Sequence, residues 1–199
     1  MTIDVSPGTV LAVWTSDGLA EDLIRAGEAL EGKPAVANHV ILVTHPDAKG
    51  RWIGIQGQPG GVGLVDCTPF LASPRTRGNA AQVQQMQAGR PRFTGELSTY
   101  LASCAKSIGV RYDWAGIAED TAGALRLNDV SALLDKLYAW PASHGQIPGE
   151  VVCSSLAAWQ YENAGWPHPD TGSERTCEPA DWWDWSDRQL WTAARPGGR

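Results

Sequence analysis

The 199-residue sequence predicts an α+β chain in which an antiparallel sheet packs against helices. Three observations carry that expectation. Short apolar runs rich in β-branched residues occupy the first third of the chain. Two of them are joined by a turn-rich link of the kind that closes a hairpin. Later segments place apolar residues at the three- and four-residue spacing of helices.

Thr9 to Trp14, TVLAVW, follows Pro7-Gly8 and reads as a buried strand. Asp17 then caps a predicted helix that carries Glu21 and Asp22 in its first turn and Leu19, Leu23, Ala26 and Leu30 on one face, before Gly32 and Pro34 end it. HVILVT from His39 to Thr44 and WIGIQG from Trp52 to Gly57 are strands, and the Pro, Asp and Gly of HPDAKGR suit a hairpin connection. Thr68 to Thr94 reads as an irregular crossover whose only helical promise is NAAQVQQMQ. From Glu96 to Ile108 a helix is predicted with Leu97, Leu101, Cys104 and Ile108 on its apolar stripe, which puts Cys104 in the core. Asn128 or Asp129 caps another, with Val130, Leu133, Leu134, Leu137 and Tyr138 on its inner face and Pro141 at its end, and a last run opens at Cys153. Four of the ten tryptophans fall in DWWDWSDRQLW near the C-terminus, which reads as a packing cover, with a carbohydrate- or acyl-binding surface as the alternative. With no repeat and no dividing linker, a single domain over residues 1–199 is expected.

Composition narrows the function classes. The chain is 43% apolar and 19% charged, in the globular range, and no apolar run approaches the roughly 20 residues of a membrane span. The N-terminal segment has no basic leader and no separate apolar stretch, so a cytoplasmic protein is expected. A net charge of −6 argues against nucleic acid as a partner. Arg75, Arg77, Arg90 and Arg92 lie in an acid-free stretch that reads as a solvated loop, with contact to an anionic substrate as the alternative. Cys67, Cys104, Cys153 and Cys177 show neither CxxC spacing nor disulfide-scaffold density and are read as free thiols. His144, Cys153, His168 and Cys177 match no paired-ligand spacing, so no metal and no cofactor are expected. GQPGGVG lacks the lysine ending of a phosphate loop and is followed by LVDC rather than a helix, so it reads as a turn.

Within GEVVCSSLAAWQ, Cys153 stands where a Pro/Gly loop gives way to a helix. A helix N-terminus or an adjacent imidazolium lowers a thiol pKa from about 8.5 into the range of about 3.5–7.5, and first-turn amides can also bind an oxyanion. His45, His144 and His168 sit in loops and are explained by surface position. His39 opens an otherwise apolar strand, where a polar side chain needs a partner or a task; a hydrogen-bonded core histidine is the alternative. Strand alternation sets His39, Ile41 and Val43 on one side, and either Gln56 or Gln58 can reach that side from the next strand. Gln56 lies better within the strand pattern, and its amide oxygen can accept the second imidazole N–H.

SPGTVLAVW and the helix after it, NHVILV, WIGIQGQPGGVGLV, VRYDWAGI, VVCSSLAAWQYENAGW and CEPADWW together resemble the circularly permuted branch of the NlpC/P60 papain-like superfamily, in which the His strand precedes the Cys helix. The resemblance covers most of the chain in the expected order. It implies a papain-like fold with Cys153 as nucleophile, His39 as base and Gln56 as the third polar residue, where many relatives carry Glu. It also implies that Tyr112 and Asp113, with the adjoining Trp114, line the substrate site. The expected activity is that of a cysteine peptidase or amidase, which cleaves an amide, isopeptide or ester bond of a peptide, amide or acyl substrate through a thioester. An acyltransferase or thioesterase acting on a lipid, separable by product analysis with an added acceptor, is one alternative. A non-catalytic binding module, which has no reason to hold a hyper-reactive cysteine, is another.

Overall fold

The computed structural model describes residues 5–15, 37–58, 60–72, 83–89, 97–112, 150–169 and 178–193. The helices predicted to start at Asp17 and at Asn128 or Asp129, and Arg75, Arg77, Arg90 and Arg92, lie outside these residues. What is described is α+β. Strands β1 (Val10–Thr15), β2 (His39–Pro46), β3 (Trp52–Gln58), β4 (Gly61–Asp66) and β5 (Val83–Gly89) form one sheet in the order β4-β3-β2-β1-β5, antiparallel at every pairing. Helices α1 (Thr68–Ala72), α2 (Leu97–Ser107), α3 (Cys153–Asn163) and α4 (Pro179–Ala193) accompany it. A two-residue parallel ribbon joins β6 (Arg111–Tyr112) to β7 (Glu150–Val151).

β1 and β2 are apolar on both sides because both sides are covered. Alternation sends Val10, Ala12, Val40 and Leu42 to one face, where with Ile55 they meet Tyr100 and Cys104 of α2, Leu156 and Tyr161 of α3, and Trp182 and Trp185 of α4. Leu11, Val13, Ile41 and Val43 go to the other, against Cys67, Trp52 and Phe70. Tyr161 ties the helical layer together. Its ring stands edge-on to Trp166, Trp182 and Trp185, with centroids 5.4, 5.1 and 5.8 Å away, and its hydroxyl donates to the Gly8 carbonyl. Trp182 and Trp185 of the tryptophan-rich segment therefore pack, with Trp182 fully buried.

Three local expectations are corrected. Residues 83–89 form a strand, not an irregular crossover with helical character, because the open edge of β1 offers pairing along its length and outweighs the Gln/Ala preference for helix. α1 also lies inside that crossover, started by the Asp66 carboxylate accepting the Thr68 N–H at 2.9 Å. In α2 the buried stripe is Tyr100, Cys104 and Ser107, whereas Leu97 and Ile108 are 39% and 48% exposed. The helix is turned inward on Tyr100, which stacks on Trp166 and donates to the Val43 carbonyl at 2.9 Å. His45 lies within β2 rather than in a loop, exposed beyond a bulge between Val43 and His45.

Gly54 shows how tightly the hairpin is packed. A Cβ there would lie 2.6 Å from the Leu42 carbonyl oxygen and 2.7 Å from Cys67 Sγ. Gly54→Ala is expected to lose about 1–3 kcal/mol in urea unfolding. Gly60→Ala, with nothing within 4 Å, is expected to stay within about 0.5 kcal/mol of the parent. Equal stability of the two variants would refute this packing.

Candidate active site

β2 starts at His39 because the Asn38 N–H donates to the Val13 carbonyl at 3.0 Å and His39 then pairs with Val13. Leu42 pairs with Ile55, and that register continued along the strands sets His39 beside Gln58. The imidazole does not bond straight across. Its Nε2 reaches diagonally to Gln56 Oε1 at 2.9 Å, and Gln56 Nε2 donates to Gln58 Oε1 at 2.9 Å. An amide oxygen only accepts, so His39 Nε2 is the donor and Nδ1 is the acceptor nitrogen of the neutral ring.

The start of α3 reaches the same end of the sheet by a separate route. The Val62 N–H donates to the Val110 carbonyl and the Gly109 N–H to the Val62 carbonyl, each at 2.8 Å, which holds the approach to β6 against β4. Gly61 makes this close approach possible. It has φ +105°, and a Cβ on it would stand 2.8 Å from the Val110 carbonyl oxygen. Tyr112 then pairs with Val151, only two residues before Cys153. Val152 is extended, and Cys153 is the first residue of α3. Ser155 Oγ accepts the Val152 N–H at 3.0 Å and donates to the Val152 carbonyl at 3.1 Å, closing the turn. The first-turn amides have no acceptor within the helix, which gives this end partial positive charge. Trp182 Nε1 donates to the Ser154 carbonyl at 3.2 Å, so α4 braces the turn.

These two assemblies meet at Gly57. A Cβ on Gly57 would lie 3.2 Å from Cys153 N and 3.3 Å from Cys153 Cα, so the missing side chain is what lets α3 begin against β3. Gly57 faces the α3 side of the sheet, where Cys153 packs. Cys153 and His39 thus stand at one end of the sheet, at the end of β3 and the start of β2.

The other two described thiols are held protonated by their surroundings. Burial pushes Cys104 up to about 12, and burial together with the Asp66 charge does the same for Cys67, so neither is a thiolate near neutral pH. Cys153 is also buried, at 2% exposure, and none of the three forms a disulfide. Of the residues expected to line the substrate site, Tyr112 is buried beside the approach to α3, and Asp113 and Trp114 lie outside the described residues, as do His144 and Cys177. Among the described residues no cluster of His, Cys, Asp and Glu is arranged to hold a metal ion. Neither family models nor curated proteins match the chain.

Sequence reasoning missed Gly57, the Gln56–Gln58 bond and the β6–β7 ribbon. For Gly57 the signal was present, since a glycine inside a strand pattern marks close backbone approach. Gly57→Ala is expected to cost about 1–2 kcal/mol, because two backbones must separate by a few tenths of an ångström. It should also speed amide exchange at Ser154 to Leu156 more than in the rest of α3. Parent-like exchange there would contradict the contact.

Proposed function

We propose that the chain is a cysteine hydrolase on a papain-like fold of the permuted NlpC/P60 type, and that it cleaves an amide, isopeptide or ester bond through a thioester on Cys153. The observation that carries the reading is the His39–Gln56 hydrogen bond, made at the end of the strand pair on which the Cys153 end of α3 packs through Gly57. Gln56 holds the imidazole with Nδ1 as acceptor, the form that takes a proton from a thiol. The N-terminus of α3 favours the resulting thiolate.

In the proposed reaction the Cys153 sulfur attacks the substrate carbonyl carbon, and the carbonyl π pair moves to oxygen. The oxyanion is held by the Cys153 N–H. Collapse of this intermediate expels an amine or alcohol that takes its proton from the His39 imidazolium, leaving the acyl group on sulfur. Water then loses a proton to His39 and attacks the thioester; the acid product departs and the thiolate is restored. In this reaction Gln56 acts through the ring that it holds. Tyr112, tied to Val151, supports the reading by its position beside the turn into α3.

The test is a panel of activated ester and amide probes with acyl groups of different size, followed by peptide mapping. An acyl adduct is expected on Cys153 and not on Cys67 or Cys104. Cys153→Ala should abolish it, and His39→Ala should slow it about 100-fold or more. Gln56→Glu should retain turnover and raise the pKa of the His39 imidazolium, because a carboxylate favours the charged ring. An added amine acceptor distinguishes hydrolysis, which yields free acid, from acyl transfer, which yields a new amide. Acylation spread evenly over the cysteines, or unchanged by His39→Ala, would overturn the proposal.

A further inference from the structure

We infer that Gln58 is a positioning residue that selects the tautomer of His39 through the Gln56 carboxamide. The inference rests on the proposed role of His39 as base and extends that site by one residue. Three side chains on one face of the strand pair form a directed chain. Gln58 Oε1 accepts from Gln56 Nε2 at 2.9 Å, and Gln56 Oε1 in turn accepts from His39 Nε2 at 2.9 Å. A carboxamide has a donor end and an acceptor end on a planar group, so satisfying one end with an acceptor commits the other end to a donor. While Gln58 accepts, Gln56 offers oxygen to the ring, and the ring must carry its proton on Nε2. Were residue 58 to donate, Gln56 would turn over and present its NH2 to Nε2, moving the ring proton to Nδ1. Nδ1 would then be unable to take the thiol proton.

The surroundings leave this chain room to work. Gly63, the β4 partner of Gln56, has no side chain, and a Cβ there would stand 3.8 Å from Gln58 Nε2, so the second amide lies over open backbone. Gln58 is exposed at the last position of β3, whereas Gln56 is half-buried. The residue that orients the chain is therefore the one most easily changed without disturbing the fold.

The test replaces Gln58 with side chains of one polarity and reads the ring directly. Nitrogen-15 spectra of His39 at a pH where the ring is neutral are expected to show the Nε2–H tautomer in the parent. Gln58→Glu, an acceptor only, should keep it. Gln58→Lys, a donor only, should shift the tautomer ratio toward Nδ1–H by about tenfold, the effect of one hydrogen bond of ordinary strength. The acylation rate of Cys153 should fall with the neutral Nε2–H fraction in Gln58→Lys and stay near the parent in Gln58→Glu. An unchanged tautomer in Gln58→Lys, with the fold intact by circular dichroism, would overturn the inference. Iodoacetamide labelling of Cys153 in the parent no faster than that of Cys104 would instead overturn the catalytic reading and with it the site the chain serves. The tautomer ratio judges the Gln58 relay by itself.

Discussion

The contact between Gly57 and the first residue of α3 is the constraint on which the candidate site depends. It joins a strand pair that orders an imidazole to a helix start that carries a thiol, and it does so through backbone atoms alone, with a Cβ at residue 57 only 3.2 Å from Cys153 N. A side chain at residue 57 would lift the helix end off the strand. The rest of the fold holds the two sides of this contact. β4 and the β6–β7 ribbon fix the chain leading into Cys153, and α4 braces the first turn through Trp182.

The sheet serves two layers at once, and this explains why its central strands are so uniformly apolar. One face of β1 and β2 lies under α2, α3 and α4, and the other packs on Cys67 and α1. The polar side chains of the candidate site lie toward strand ends: His39 at the start of β2, and Gln56 and Gln58 toward the end of β3. There the cost of burying a polar group falls, and the remaining cost is met by side chains that bond to one another.

Much of this was legible in the sequence, for local reasons. Short apolar runs joined by a turn-rich link located β2 and β3, strand alternation put His39 and Gln56 on one face, and a loop giving way to a helix put Cys153 at the start of α3. What was not legible depends on contacts distant in sequence. Local preference in VQQMQAG favours helix, and only the open edge of β1 makes it a strand. Leucine and isoleucine defined the apolar stripe expected in α2, but the bond from Tyr100 to the Val43 carbonyl turned that helix to a different face. The pairing of Tyr112 with Val151, which brings a residue of the YDW segment beside Cys153, left no trace in composition or spacing.

The central claim is that Cys153 and His39 act as one thiolate–imidazolium unit at the end of the sheet. The most direct measurement is the carbon-13 shift of Cys153 Cβ followed as a function of pH in the parent and in His39→Ala. The account predicts that the thiol titrates below about 7.5 in the parent, coupled to the His39 ring, and moves up toward the ordinary thiol value of about 8.5 when the ring is removed. A Cys153 that titrates at or above that ordinary value in the parent, and does not respond to the loss of His39, would contradict it.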